Sequence, residues 1–166
     1  MKASFHLALP CKDIDKTRDF YVFVLGAKQG RNTDTWLDIN LYGNQLTFTQ
    51  AGNFNFDFKN YRLNGNLLPS FHFGIIVDGD TWGKLYSRLI EKDLEVTTEA
   101  TFLENKTGEH ISFFVKDPDG YSVEFKLQFN VFNVFCFHLI FCTEHLFSIF
   151  KMFKFYTIPI WVFNKK

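Results

Sequence analysis

Cysteine is scarce in this chain: its 166 residues hold three, Cys11, Cys136 and Cys142, in no framework spacing. That excludes a small secreted scaffold tied by disulfides and fits a reducing compartment, the cytoplasm. Charge of one sign is lacking too. Lys plus Arg and Asp plus Glu both count 18, so the formal charge is zero. Nothing here suits a polyanion, and nucleic acid is not expected as a partner. No stretch reads as a secretory leader, because Met1-Lys2 runs almost directly into a strand-like segment. Nor is there a clear membrane span. The charge-free run from Leu127 to Thr143 is broken by Asn130, Asn133 and His138. It also falls short of the ~20 apolar residues that crossing a bilayer requires.

The last absence is local. Residues 128–166 contain no Ala, Gly, Asp or Arg, yet hold ten of the 23 Phe. This tail is unlike the body and reads as read-through, a retained non-coding segment or a lineage-specific extension. Sequencing the mature transcript across the Gln128 codon decides between artefact and expressed extension. Cys136, His138, Cys142 and His145 match no strong zinc spacing.

What the body does contain is punctuation. Asp117-Pro118-Asp119-Gly120 separates two strand-like runs, Ile111 to Lys116 and Tyr121 to Lys126. Pro presets the second position of a tight turn and Gly accepts a positive φ at its end, so a β-hairpin is expected. Along its second strand Val123 and Phe125 point one way, Ser122, Glu124 and Lys126 the other. Glu124 sits mid-strand, where a carboxylate needs a partner, a metal or solvent.

Earlier, Ser4 to Leu9 reads as a strand ended by Pro10, with His6 on its less apolar face. Asp13 caps a helix carrying Ile14, Thr17, Tyr21, Val24 and Leu25, and Gly26 stops it. Three strands follow, over 27–30, 35–39 and 45–49. Residues 51–69 show no lasting periodicity and read as a linker or mobile loop. Its Phe54, Phe56, Phe58 and Tyr61 either cover a pocket or pack against the domain edge. Then the plan repeats. A strand over 70–77 holds His72, and Asp80 caps a helix striped with Trp82, Leu85, Tyr86, Leu89 and Ile90. A strand over 94–100 and the hairpin complete the second module. Phe5 to Leu9 matches Phe71 to Ile75 at an offset of 66 residues, and Gly43 to Phe48 matches Gly120 to Phe125 at 77. Duplicated units of this kind bury their apolar faces on one another.

His6 and His72 therefore hold equivalent places in the two first strands, and Glu124 lies in the last strand of the second module. Two imidazoles and one carboxylate suit a divalent ion and leave positions open for substrate. A strand His, a helix, a second strand His and Asp-Pro-Asp-Gly-x-x-x-Glu-Phe together resemble the vicinal oxygen chelate superfamily. That group includes glyoxalase I, fosfomycin-resistance thiol transferases, bleomycin-resistance proteins and extradiol dioxygenases. The resemblance covers about residues 2–127 and implies an α+β fold. Two βαβββ modules (2–50 and 70–127, linker 51–69) would form one curved mixed sheet, a cup with helices outside. It implies His6, His72 and Glu124 as metal ligands, Fe(II) being favoured over Mn, Ni or Zn. It implies a metal-dependent enzyme acting on a small substrate chelated through neighbouring oxygens, dioxygenase-like. The alternatives are a glyoxalase-type lyase, a thiol transferase, or a metal-free binding protein of the bleomycin-resistance type. Glyoxalase I has a fourth ligand where this chain has Thr47, a poor one, which counts against a glyoxalase I site within one chain. Gln45, Thr47 and Thr49 remain as supporting or substrate contacts, and His110 as a weak catalytic candidate. Cys11 reads as a buried inert thiol. A homodimer is expected from the resemblance, and in some relatives the cup is built across subunits.

Overall fold

A computed structural model of the chain describes residues 3–129. The chain divides into two units, Met1–Gln128 and Phe129–Lys166. The tail's span and its Cys/His cluster lie outside the described residues.

In the first module, Asp13 opens α1 (Ile14–Arg18) by accepting from the amides of Asp15 and Lys16 at 3.0 and 3.1 Å. The helix does not stay α-helical to Gly26. It widens to a π-helical turn over Asp19–Val24, closed by Leu25 N donating to Phe20 O at 3.0 Å. Tyr21 and Leu25 are both fully buried along this turn. Four strands follow the βαβββ plan: β1 (His6–Cys11), β2 (Lys28–Asn32), β3 (Trp36–Leu41) and β4 (Asn44–Gln50), in the sheet order β1-β4-β3-β2. Pro10 does not end β1 but lies inside it, opposite Thr49. Its missing N–H is tolerated because β1 is an edge strand.

The second module repeats this with β7 (His72–Val77), α2 (Gly79–Glu91), β8 (Val96–Phe102), β9 (His110–Lys116) and β10 (Ser122–Gln128), in the order β7-β10-β9-β8. The cap of α2 is Asp78, not Asp80. Its side chain accepts from Thr81 N at 2.7 Å, and Asp80 supplies first-turn negative charge. The two offsets read from the sequence hold in the pairing. His6 faces Gln45 in the parallel pair β1/β4, and His72 faces Ser122 in β7/β10.

One face of each sheet is covered by its helix. Tyr21 packs on Phe48 with ring centroids 4.7 Å apart. Trp82 packs on Phe113 at 5.0 Å and donates its indole N–H to Phe125 O at 3.1 Å. The opposite, open faces carry the polar residues of interest. The modules do not merge into one continuous sheet. They form two four-stranded sheets, with β1 and β7 each at an edge.

What joins the modules is the Asp-Pro-Asp-Gly turn. Asp119 accepts from Lys12 N at 2.9 Å, Tyr21 OH donates to Asp117 at 3.0 Å, and Tyr121 OH donates to Pro10 O at 3.0 Å. The linker is more structured than its composition suggests. Within 51–69, β5 (Tyr61–Leu63) and β6 (Asn66–Leu68) form a hairpin around Asn64-Gly65, both at positive φ. Strands of three residues are too short to show alternation, but Asn-Gly was a legible turn signal. Leu68 then packs with Phe102 and Phe114 on the open face of the second sheet. The linker rings Phe56 and Phe58 cluster with Phe71 and Tyr121 at the turn, so they pack on the domain.

Candidate metal centre

His72 and Glu124 are brought together. Both project from the open face of the second sheet, on the neighbouring parallel strands β7 and β10. Pro69 O lies 2.9 Å from His72 Nδ1. A carbonyl only accepts, so Nδ1 carries the hydrogen, and in a neutral ring Nε2 presents its lone pair. That lone pair faces Glu124 Oε2 at 3.6 Å. Two acceptors directed at one small space call for a cation or a proton between them. The donor set, one imidazole and one mostly buried carboxylate, fits a divalent ion. The carbonyl bond that fixes the ring is the kind of outer support metal-binding histidines have.

Gly74 makes this approach possible. It sits opposite Glu124, and a Cβ there would run into the Glu124 carbonyl oxygen and Cβ. On the other side of Glu124, Lys126 Nζ lies 3.6 Å from Oε1. The mid-strand carboxylate thus has an ammonium beside one oxygen and the His72 imidazole beside the other. Ser112, opposite Lys126, is fully buried, and its hydroxyl has no hydrogen-bond partner.

His6 is elsewhere. It lies exposed on β1, in the other sheet. Among the described residues no group of three or more His, Cys, Asp or Glu side chains is placed to hold a metal ion. One chain therefore gathers two of the three expected ligands. Among the described residues, clefts of about 450 and 210 Å³ are lined around Asp13 and Asn32, and around Phe20 and Leu89. Neither includes His72 or Glu124.

Thr47 is the register equivalent of Glu124, facing Ala8 as Glu124 faces Gly74. Its hydroxyl is committed, donating to Asp38 Oδ1 at 2.6 Å. That bond, then bonds from Gln45 and Arg31, hold the Asp38 carboxyl below the usual range although burial opposes them. Gln45 and Thr47 thus serve Asp38, a buried carboxylate that sequence reading passed over, while Thr49 is exposed opposite Trp36. His110 donates from Nδ1 to Gly108 O at 2.7 Å and stacks on Phe102 at 5.1 Å. It starts β9 four residues from Phe114, the partner of Glu124, about 13 Å along the strand. Cys11 is buried, and burial pushes its thiol up from its ordinary pKa.

Residues 4–125 match the family model for the Glyoxalase/Bleomycin resistance protein/Dioxygenase superfamily. The chain belongs to this superfamily. A glyoxalase/bleomycin resistance protein/dioxygenase from Alicyclobacillus acidocaldarius is 27% identical, with a TM-score of 0.65 over 78% of this chain and 93% of that one. Lactoylglutathione lyase from Agrobacterium tumefaciens is 14% identical, with a TM-score of 0.54 over 76% of this chain and 94% of that one. The fosfomycin resistance protein FosX from Listeria monocytogenes is 15% identical, with a TM-score of 0.53 over 76% and 93%. The last two likenesses concern the fold alone. No curated protein matches the chain in sequence. The fold holds the last strand of each module beside its first, the placement that seats Glu124 next to His72. Among the described residues no helix is long and apolar enough to cross a membrane.

Proposed function

We propose that this protein is a metal-dependent enzyme acting on a small substrate chelated through neighbouring oxygens, with dioxygenase-like chemistry favoured. The observation that carries the reading is the pair of acceptors His72 Nε2 and Glu124 Oε2, 3.6 Å apart, with His72 Nδ1 tied to Pro69. We propose further that the third ligand is His6 from a second copy of the chain. This makes the functional unit a homodimer and accounts for an exposed His6 on an edge strand. A divalent ion held there, Fe(II) before Mn, Ni or Zn, supplies Lewis acidity for an enolate, alkoxide or catecholate, and as Fe(II) also a redox centre for dioxygen. The chain's residues do the rest. Pro69 O orients the imidazole, Gly74 lets the two strands approach at Glu124, and the Lys126 ammonium sits beside the other carboxylate oxygen.

The commitment of Thr47 to Asp38 leaves no fourth ligand at that position, which supports a three-ligand site over one of the glyoxalase I kind. A lyase or thiol-transferase reaction is the next reading, drawn from membership of the superfamily. The Lys126–Glu124 pair favours a third, a metal-free binder, because an ammonium already partners the carboxylate. We propose a cytoplasmic location from the three cysteines of the sequence, which stand in no disulfide-framework spacing. Metal analysis of the purified full chain separates these readings, followed by oxygen-uptake, glyoxalase and thiol-transfer assays on the metallated protein. Stoichiometric metal, lost in His72→Ala, with oxygen consumption on a catecholic or enolisable substrate is the expected result. A protein that takes up no divalent ion is a binder and not this enzyme.

A further inference from the structure

The open face of the first sheet holds a second organised group, centred on Arg31. Between Gln29 and Asn32 strand β2 shifts register against β3, so Gly30 and Arg31 together oppose Asp38. Such a bulge re-aims a side chain. Here it brings Arg31 over the sheet face instead of leaving it at the edge. Gly30 is required for this, because a Cβ at that position would meet Asp38 Cβ at 3.0 Å and its carbonyl oxygen at 3.2 Å. Arg31 Nε and Nη2 then bond Asp38 Oδ2 at 3.1 and 3.0 Å. The guanidinium lies 5.8 Å over the ring of Trp36. Asp38 itself is buried and held by Thr47, while the Arg31 side chain stays 79% exposed.

The result is a fixed guanidinium. Two of its five N–H groups point to Asp38 and three are free to face solvent. A planar fork whose entropy is already spent is suited to a second oxyanion. Asp38 offsets the Arg31 charge, but Lys28, opposite Asn40 on the same face, leaves a positive balance there. His6 shares this face too, on β1. The guanidinium lies above β3, two strands from β1, or about 10 Å at ordinary strand spacing. We propose that Arg31 is a binding residue for a small oxyanion, a carboxylate or a phosphate, carried by the substrate at the end away from its chelating oxygens. That this anion belongs to the substrate rests on the metal-centre reading; that Arg31 binds an oxyanion does not.

The test is an NMR titration of the ¹⁵N-labelled, metal-free full chain with malonate and, separately, inorganic phosphate. Ionic strength is held constant with chloride. The expected result is saturable shifts of the Arg31 Nε–H and Trp36 indole N–H signals. Tighter binding of malonate names a carboxylate, tighter binding of phosphate a phosphate. Arg31→Gln should weaken binding about tenfold or more, the loss of charge-assisted hydrogen bonds. Arg31→Lys, which keeps the charge but not the fork, should fall between. Equal shifts with chloride alone, or wild-type affinity in Arg31→Gln, overturn the proposal. Because no metal is present, a protein that fails as a metalloenzyme can still pass, and one that fails here can still bind metal.

Discussion

Asp117 is a buried carboxyl whose proton is held more tightly in the folded chain than in the unfolded one. Burial pushes it from 3.8 to about 6, against the hydrogen bonds it accepts from Tyr121 N, Tyr21 OH and Asp119 N. Between about pH 4 and pH 6 the folded state therefore binds more protons, and stability falls as pH rises through that window. At ~1.4 kcal/mol per unit the contribution is about 3 kcal/mol, complete below the lower value and gone above the upper. Asp117→Asn keeps an oxygen for the two amides and can donate to the Tyr21 phenol oxygen. Urea unfolding at a series of pH values should show the wild type losing stability relative to this variant across the window; parallel curves would contradict the assignment. A second single-residue effect belongs to Gly74. Its replacement by Ala forces β7 and β10 apart at Glu124, which should cost about 1–3 kcal/mol in denaturant unfolding. Metal retention should fall with it. His72 and Glu124 were legible because repeat and alternation put them on one face. Gly74, Arg31 and Asp38 were not, because close approach, a bulge and a cross-strand hydrogen bond leave no mark in periodicity.

The elements show the same division. The equivalence of the two modules followed from the two repeat offsets, and the pairings His6–Gln45 and His72–Ser122 keep both offsets. The β5–β6 hairpin did not follow, although Leu68 is 3% exposed and packs in the cluster with Phe102 and Phe114. A linker would tolerate Leu68→Ala. A hairpin that closes a core should lose about 2–4 kcal/mol, seen as a lower urea midpoint with an unchanged slope. The π-helical turn was likewise hidden, because Tyr21 and Leu25 fit an α-helical stripe as well as a widened one. The Asp-Pro-Asp-Gly turn was recognised as a hairpin, but its second task was invisible locally. Its carboxylates reach Lys12 and Tyr21, about a hundred residues away in sequence.

For the whole molecule, the separation of His6 from His72 and Glu124 is the decisive feature. The two expected βαβββ modules are there, as two four-stranded sheets. β1 and β7 lie at their edges, each with a candidate ligand and neither paired to the other. A second copy would give those edges and His6 a use. The most direct measurement mixes two variants, His6→Ala and His72→Ala, by unfolding and refolding equal amounts together, and then counts bound metal. Each variant alone should bind little. In a homodimer with shared sites, half of the mixed dimers are heterodimers with one intact site of two, so about a quarter of wild-type metal should return. No recovery on mixing, with the wild type holding one ion per monomer, would contradict a centre shared between two chains.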